Sequence, residues 1–546
     1  MKETIKEMWE KRPLVLILFL GGLFRMLAVI FSKGYGMHDD HFLVIEPAQG
    51  WIDGYSFTHN WLPNSDAPRP DGYTLLYPGL NYIALLIFKI IGLNDPQSKM
   101  YVLRFFNALW SMLVIVYGYK ITNQLAGMKV ARQAGMILAL LFFMPMFAVR
   151  SLVEVVTMPS MLIATWLMID PARKEKLKTY AWVGFWCGIA FNTRFQSALF
   201  VSGMGLVILF SKNWKGFIAF GLGGIATVLA VQLVADQLIW HQPFAELSAY
   251  IKYNVEHATE VINGEWYNYL LLIGGLLIPP ISLFIMFGFG RSWKKYPILF
   301  WPSFLFFAFH SIFPNKQERF ILPVVPLIIV LGLIGWSEFY AKSKFWQNRP
   351  KLMHYCWVFF WTLDLIALPV ISVTYSKRTR VESMTYLAKQ KDMVNFMVEE
   401  SNDESAVQSP LFYLGRWDVY IPQITKTDNL AKEYYINAVD LPEAQYPNYI
   451  VFYGKKNLEE RLADFKKVYP ETTYETTIYP SFIDRLMEFL NPINKNETAF
   501  IYKFGHTKVN PPYHFTAALN ASKFSSPARQ VVRIYLIDTD SVKPSK

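Results

Sequence analysis

The chain has 546 residues, 53% of them hydrophobic, 17% aromatic and only 17% charged, where an average soluble protein carries about 25% charged residues. The deficit excludes a single soluble globule, because residues 14–375 are a series of apolar runs divided by short polar breaks, whereas residues 376–546 have the make-up of an ordinary soluble domain. The net charge of +11 does not point to nucleic acid: the basic residues cluster beside apolar runs, where anchoring to lipid headgroups accounts for them.

The first apolar run, Pro13–Phe31, follows a basic start of Lys2, Lys6, Lys11 and Arg12. A cleaved signal peptide has this layout too, but the run is long enough to span a bilayer and lacks a small-x-small site before Lys33, which favours a retained helix. Further spans are predicted at residues 101–118, 133–149, 151–169, 180–192, 196–210, 217–234, 269–288, 297–313, 321–340 and 354–375. Cys187 and Cys356 lie within such runs and imply neither a disulfide framework nor a cysteine metal site.

An additional run at residues 74–93 is decided by charge. Basic residues of short loops mark the cytoplasmic side, and the N-terminus with loops 120–132, 173–178, 212–215, 291–295 and 342–351 all fall on that side only if residues 74–93 do not cross. The segment then lies along the interface, or dips in and returns, within one long outer segment of residues 32–100. About eleven transmembrane helices result, with a cytoplasmic N-terminus. Residues 33–71, residues 236–268 and the break at 314–319 share the outer side.

The remainder, residues 377–546, is predicted as an extracytoplasmic α/β domain following a transmembrane domain of residues 1–376. Strand-like runs at 411–414, 449–453, 499–502 and 531–537 alternate with helical stretches at 458–467 and 482–490. It contains no glycine-rich phosphate loop. Asn496-Glu497-Thr498 and Asn520-Ala521-Ser522 are N-glycosylation triplets, meaningful only in a eukaryotic secretory setting.

Titratable residues gather at the outer breaks. His38-Asp39-Asp40-His41 follows the first span, with Glu46-Pro47 shortly after. Three readings stand: a general base taking a proton from an attacking hydroxyl, a divalent-metal site, and a solvated loop. Arg104, Arg150, Glu154 and Arg194 lie inside or at the ends of apolar runs, where an ion marks a functional site unless it snorkels to the headgroups. Arg150 and Glu154, four residues apart, are spaced to pair with each other. Lys316, Glu318 and Arg319 with Pro323 and Pro326 form another polar break, either an ordinary charged turn or a phosphate grip.

Taken in order, these segments resemble the dolichyl-phosphate-mannose-dependent mannosyltransferases of GPI-anchor and N-glycan assembly, in the GT-C superfamily. The resemblance runs through Asp39-Asp40, Phe42, Glu46-Pro47, Gly54 and Thr58-His59-Asn60-Trp61, then Tyr77-Pro78, Arg104 and Asn192-Thr193-Arg194. It continues through Asp236 to Trp240, Tyr253-Asn254 and Trp266-Tyr267, and is most specific at Lys316-Gln317-Glu318-Arg319-Phe320 with Pro323. It covers roughly residues 15–345. Two positions depart: the family's second acid is Glu where this chain has Asp40, and its motif histidine is replaced by Asn315, so no role for that histidine carries over.

The resemblance implies a polytopic α-helical membrane protein of the GT-C type, with a large first outer loop, that moves a sugar (mannose by the family's preference) from a polyprenyl-phosphate donor to a glycan or glycolipid acceptor on the outer face. It implies Asp39 as base, assisted by Asp40. Lys316, Arg319, Arg194 and Arg104 become donor-phosphate ligands, and His38, His41, Glu46 and Glu318 line the acceptor pocket. The lipid-phosphate donor is a substrate, and no cofactor or metal is expected. The C-terminal domain is similar to those appended to bacterial GT-C enzymes, which points to a bacterial inner membrane. Two rivals are a lipid-linked-sugar transporter or flippase, for which no inverted repeat is evident, and a GT-C transferase moving a pentose or glucose to lipid A, protein or capsule glycan.

Overall fold

The computed structural model describes residues 2–57, 70, 72–173, 176–257, 263–402, 408–417, 423–425, 447–490 and 497–505. The segment Thr58 to Trp61, the predicted strand at 531–537, Asn496 and the second glycosylation triplet lie outside them. The chain divides into two units, one of Met1–Ala48 with Arg69–Thr374 and one of Gln49–Pro68 with Tyr375–Lys546.

The first unit is helical. Among the described residues five helices are long and apolar enough to cross a bilayer: Pro13–Phe31, Pro96–Leu140, Trp214–Trp240, Glu318–Lys342 and Pro350–Ser372. Shorter apolar helices include Val153–Ile169, Phe195–Phe210 and Pro297–Ile312. Glu318–Lys342 is almost wholly enclosed, whereas Pro13–Phe31, Trp214–Trp240 and Pro350–Ser372 leave most of their apolar surface uncovered. Side chains such as Phe19, Leu222 and Ile366 are exposed on these outer helices. Apolar surface of that extent faces lipid rather than water, and the protein is a multi-pass membrane protein.

Three predicted spans take a different form. Residues 101–118 and 133–149 were predicted as separate helices, yet the first and the opening half of the second, to residue 140, belong to the single 45-residue run Pro96–Leu140. At ~1.5 Å per residue that run exceeds twice the ~30 Å of a hydrocarbon core. It is interrupted at Gly127, whose φ of 77° and ψ of 172° are not helical. Its start is fixed by Asp95, whose carboxylate caps Ser98 N–H at 2.7 Å, and by Pro96 in the first turn. The span predicted at 269–288 is broken by Pro279-Pro280 into Asn268–Leu276 and Ile281–Arg291. The ambiguous run at 74–93 forms a helix over Leu76–Ile90, 15 residues or ~22 Å, too short to cross unaided.

Two buried charges that the sequence reading passed over close polar gaps at the end of the long helix. Arg25, on the first span, donates to the carbonyls of Ala139 at 3.0 Å and Leu138 at 3.3 Å and to Ser111 Oγ at 2.9 Å. Asp364, on the last span, accepts the Phe142 N–H at 2.8 Å. A helix end inside the membrane has no water for its orphan backbone groups, so side chains must supply the partners. Elsewhere glycines bring helices together: a Cβ at Gly288 would lie 1.9 Å from the Gly332 carbonyl oxygen, a contact only glycine permits.

Among the described residues the second unit holds a five-stranded sheet of order β2-β1-β3-β5-β4, with β1 Asn395–Glu400, β2 Gln423–Thr425, β3 Pro447–Tyr453, β4 Thr473–Ile478 and β5 Ala499–Lys503. β1 pairs in parallel with β2 and β3, while β5 runs antiparallel to β3 and β4. Helix Leu458–Val468 covers it through Phe465, which packs with Met397, Ile450, Phe452 and Tyr502. Helix Phe482–Leu490 has the predicted bounds. The run at 411–414 is a correction: predicted as a strand, it is a helical turn after Pro410, closed by Gly415 at φ 72°. Its bulky residues satisfy a strand pattern, but proline before and left-handed glycine after delimit a single turn. Trp417 donates its indole N–H to Asp53 at 2.7 Å, joining residue 53 to this unit.

Candidate active site

The site is assembled within the first unit, from four breaks in helix regularity. The first is the turn Asp39–Phe42, reached after Ser32 ends the first span. The second is the start of helix Val153–Ile169, whose first turn carries Glu154. The third is Arg194, extended at φ −156° between helix Leu177–Thr193 and the short turn Phe195–Ser197. The fourth is the 3-10 segment Glu318–Val324, where Pro323 keeps the backbone out of regular α-helix. Each break frees a short stretch of chain to aim a polar side chain inward.

Asp39 pairs with the Arg319 guanidinium. Arg319 Nε lies 3.4 Å from Glu154 Oε1, and Arg194 NH1 is 2.5 Å from the same oxygen. Two carboxylates and two guanidinium groups thus form one continuous cluster, from residues up to 280 positions apart in the chain. Glu154 is wholly buried and Arg194 and Arg319 nearly so. Gln317 steadies Arg319 by accepting from its Nε at 2.9 Å and NH2 at 2.7 Å, and both guanidinium groups lie over the Phe320 ring. Burial would raise the Asp39 pKa, but Arg319 and His38 outweigh it and hold the carboxyl below the usual carboxylate range.

Asp40 has a different task. It accepts the N–H of Gly36 at 2.8 Å and of Met37 at 3.0 Å, and burial pushes its pKa up to about 6 against the pull of those bonds, Arg150 and His41. His41 and Glu46 form a buried pair at 3.1 Å, with Tyr35 stacked on the imidazole. His38 Nδ1 lies 3.7 Å from Asp39 and its ring rests on Phe42. His38 therefore adjoins the cluster, whereas His41 and Glu46 satisfy each other behind it.

The other predicted phosphate ligands lie apart from these four charges. Arg104 donates to the Val29 carbonyl at 3.0 Å and covers the Tyr101 ring. Lys316 donates to the carbonyls of His310, at 3.1 Å, and Phe313, ending helix Pro297–Ile312 as a cation suits a helix C-terminus. Burial lowers its pKa, partly offset by Glu265. Glu318 is exposed. Arg150 does not pair with Glu154 as the four-residue spacing suggested: it turns back to Gly34 O at 2.5 Å, Lys33 O at 2.9 Å and Ser32 Oγ at 3.0 Å. The helix begins only at Val153, so Arg150 and Glu154 do not share a helical face.

Tyr73, whose neighbour Thr74 binds the Thr193 carbonyl just before Arg194, is a residue beside the cluster that sequence reasoning missed. Burial, then Asp39 and Glu154, raise its pKa well above that of free tyrosine, with Arg319 and Arg194 opposing. Glu154 was noticed as an ion in an apolar run and as a partner for Arg150, but not counted among the site residues. Its signal was an acid in the first turn of an apolar helix, which requires a cation from elsewhere in the fold.

Two of the segments expected on the outer side also meet directly. Asn263 bridges Asn315, and Tyr269 Oη donates to the Gln317 carbonyl at 2.9 Å. With Asp39 against Arg319, residues of all three segments expected on one side come together.

Comparison with known proteins agrees with this arrangement. The model of the Alg9-like mannosyltransferase family matches residues 15–407. The chain is 26% identical to alpha-1,2-mannosyltransferase ALG9 of Homo sapiens over 353 residues, 60% of this chain and 56% of that protein. It is 26% identical to the Mus musculus protein of the same name over 195 residues, 31% and 32% of the two. It thus spans from about a third to just over half of the length of these relatives. Among solved structures, ArnT from Cupriavidus metallidurans bound to undecaprenyl phosphate superposes with a TM-score of 0.56 at 14% identity, over 89% of this chain and 97% of that one. That likeness is one of fold, the GT-C fold of a helical membrane unit with a small C-terminal sheet. With the family match spanning most of the chain, and Asp39, Arg194 and Arg319 of the resemblance meeting in one cluster, the protein belongs to the Alg9-like mannosyltransferase family.

Proposed function

We propose that the protein is an inverting glycosyltransferase that moves a sugar, mannose by its family, from a polyprenyl-phosphate donor to a hydroxyl of a glycan or glycolipid acceptor. The observation that carries this reading is the Asp39–Arg319 pair, with Glu154 and Arg194 beside it. Direct displacement needs a carboxylate facing the attacking hydroxyl and cations facing the departing phosphate, and here the two are neighbours. The acceptor oxygen attacks the anomeric carbon and loses its proton to Asp39. The bond from that carbon to the phosphate oxygen breaks, and its electron pair leaves with the lipid phosphate against Arg194 and Arg319. An arriving phosphate draws Arg319 away from Asp39, which restores basicity to a carboxylate that the guanidinium otherwise holds low.

Undecaprenyl phosphate in the ArnT structure supports a polyprenyl carrier. The charge distribution of the short loops supports an outward-facing site, a cytoplasmic N-terminus and an extracytoplasmic C-terminal unit. Fold likeness over 89% of the chain, beyond the family match, supports placement in a bacterial cell membrane. His38 is the residue of the expected acceptor pocket best situated to meet the acceptor. The lipid phosphate is an activated leaving group, so the reading requires no metal.

The test is transfer by detergent-purified protein given radiolabelled polyprenyl-phosphate-mannose and an acceptor extract, beside Asp39→Asn. Label should reach the acceptor with the wild type alone, while both proteins bind the donor. Near-wild-type transfer by Asp39→Asn removes Asp39 as the base. Donor binding without transfer by either protein shifts the reading to another sugar on the same carrier, and export of intact donor across vesicles would favour a transporter.

A further inference from the structure

Tyr73 is held at the cluster by a side chain outside the set expected from the sequence. Glu246, in the first turn of helix Ala245–Glu256, is buried. Its carboxylate accepts three donors: the backbone N–H of Gly72 at 2.8 Å, that of Tyr73 at 3.0 Å and the indole N–H of Trp240 at 2.9 Å. The next residue, Thr74, donates its hydroxyl to the carbonyl of Thr193 at 2.8 Å, immediately before Arg194. The chain approaches this closely because residue 72 is glycine: its φ is +73°, and a Cβ there would lie 2.7 Å from the backbone of Tyr250. Residues 72–74 are thus pinned from two sides, and the phenol between the pins feels all four charges of the cluster.

Those four charges sum to zero. A lipid phosphate arriving between Arg194 and Arg319 meets attraction from both, but also repulsion from Asp39 and Glu154. A neutral O–H donor adds attraction without altering that balance, and the carboxylates that oppose ionisation of the phenol keep it a donor. The acceptor, by contrast, brings its own donors to Asp39 and has less use for another.

Resting on the donor reading above, we propose that Tyr73 is a ligand of the donor phosphate, donating its hydroxyl to a phosphate oxygen, and that Glu246 is the residue that positions it. Glu246 touches no substrate; it acts by fixing the backbone that carries the phenol.

The experiment compares wild type, Tyr73→Phe, Glu246→Gln and the double variant in two assays: binding of undecaprenyl phosphate alone in micelles, and sugar transfer with donor and acceptor varied separately. Loss of a hydrogen bond to a charged group should weaken phosphate binding about tenfold in Tyr73→Phe. Donor KM should rise in step, with acceptor KM unchanged. Glu246→Gln should show the same split, and the double variant should be no weaker than Tyr73→Phe, because both act through one hydroxyl. Unchanged phosphate binding in Tyr73→Phe, or independent losses that add in the double variant, would overturn the proposal and leave the donor reading standing. A wild type that binds no undecaprenyl phosphate would overturn the donor reading itself. If Tyr73→Phe does not fold, the donor-against-acceptor KM split of Glu246→Gln decides.

Discussion

Asp39 and Asp40 are adjacent in sequence and turned to different partners: Asp39 pairs with Arg319, while Asp40 binds the backbone of Gly36 and Met37. Consecutive residues of a helical turn project ~100° apart, so one carboxylate faces the cluster while its neighbour closes the loop leading into it. Asp in place of the family's Glu suits that second task, since its short side chain returns to N–H groups three and four residues earlier.

Asp40 gives stability a pH dependence whose sign follows from its environment. Burial raises its folded pKa from the ordinary 3.8 to about 6, so the folded state binds the proton more tightly than the unfolded chain does. Its contribution is full below pH ~4 and is lost as pH rises through about 6, amounting to a few kcal/mol in order of magnitude. Asp39 is shifted the other way; its contribution is present throughout this window and is lost only on stronger acidification. Thermal unfolding in detergent at pH 4.5 and pH 7.5 should show wild type losing more stability across the interval than Asp40→Asn. Equal losses would mean that Asp40 titrates normally.

Glu154 neutralises Arg194 and Arg319 together. In Glu154→Gln both guanidinium groups stay buried without their carboxylate, and removing one partner of a buried ion pair costs about 3–5 kcal/mol. An anion can return part of that. The melting temperature of Glu154→Gln should therefore fall well below that of the wild type, and saturating undecaprenyl phosphate should raise it by more degrees than it raises the wild type. A smaller ligand-induced rise in the variant would place the phosphate away from these arginines.

The sequence was most legible where one local rule governed the outcome. Basic loops and apolar run lengths located the helices, and proline and aspartate marked the start of Pro96–Leu140. Asp39, Arg194 and Arg319 were recognisable because an ion beside an apolar run needs a reason to be there. Partner choice was not legible: Glu154 meets Arg194 and Arg319 rather than Arg150, because a helix start between residues 150 and 154 moves them onto different courses. Arg104 and Lys316 have the right chemistry for phosphate, yet they are engaged by backbone carbonyls that no spacing rule reveals. Tyr73 was hidden for a related reason, since its position depends on Glu246, 173 residues later.

Gly127 tests the long helix. Its φ of 77° and ψ of 172° belong to a region essentially reserved for glycine, while a Cβ there would meet nothing within 4 Å. Gly127→Ala therefore isolates backbone strain from crowding and should cost ~1–3 kcal/mol, read as a lowered unfolding midpoint with donor KM unchanged. No loss of stability would mean that the chain at 127 relaxes into continuous helix.

Arg194 distinguishes a shaped phosphate grip from simple positive charge. It reaches Glu154 at 2.5 Å while its guanidinium lies 5.1 Å from the Phe320 ring centroid, an arrangement that suits a planar group with several donors. Lysine keeps the charge but offers a compact ammonium that neither stacks in this way nor forks two donors toward one phosphate. Arg194→Lys should preserve much of the stability, because Glu154 retains a cation, yet raise donor KM about tenfold through the lost second hydrogen bond. If Arg194→Lys left donor KM unchanged while Arg194→Gln abolished donor binding, charge alone would be what the lipid phosphate reads at residue 194, and the bidentate grip would have to come from Arg319.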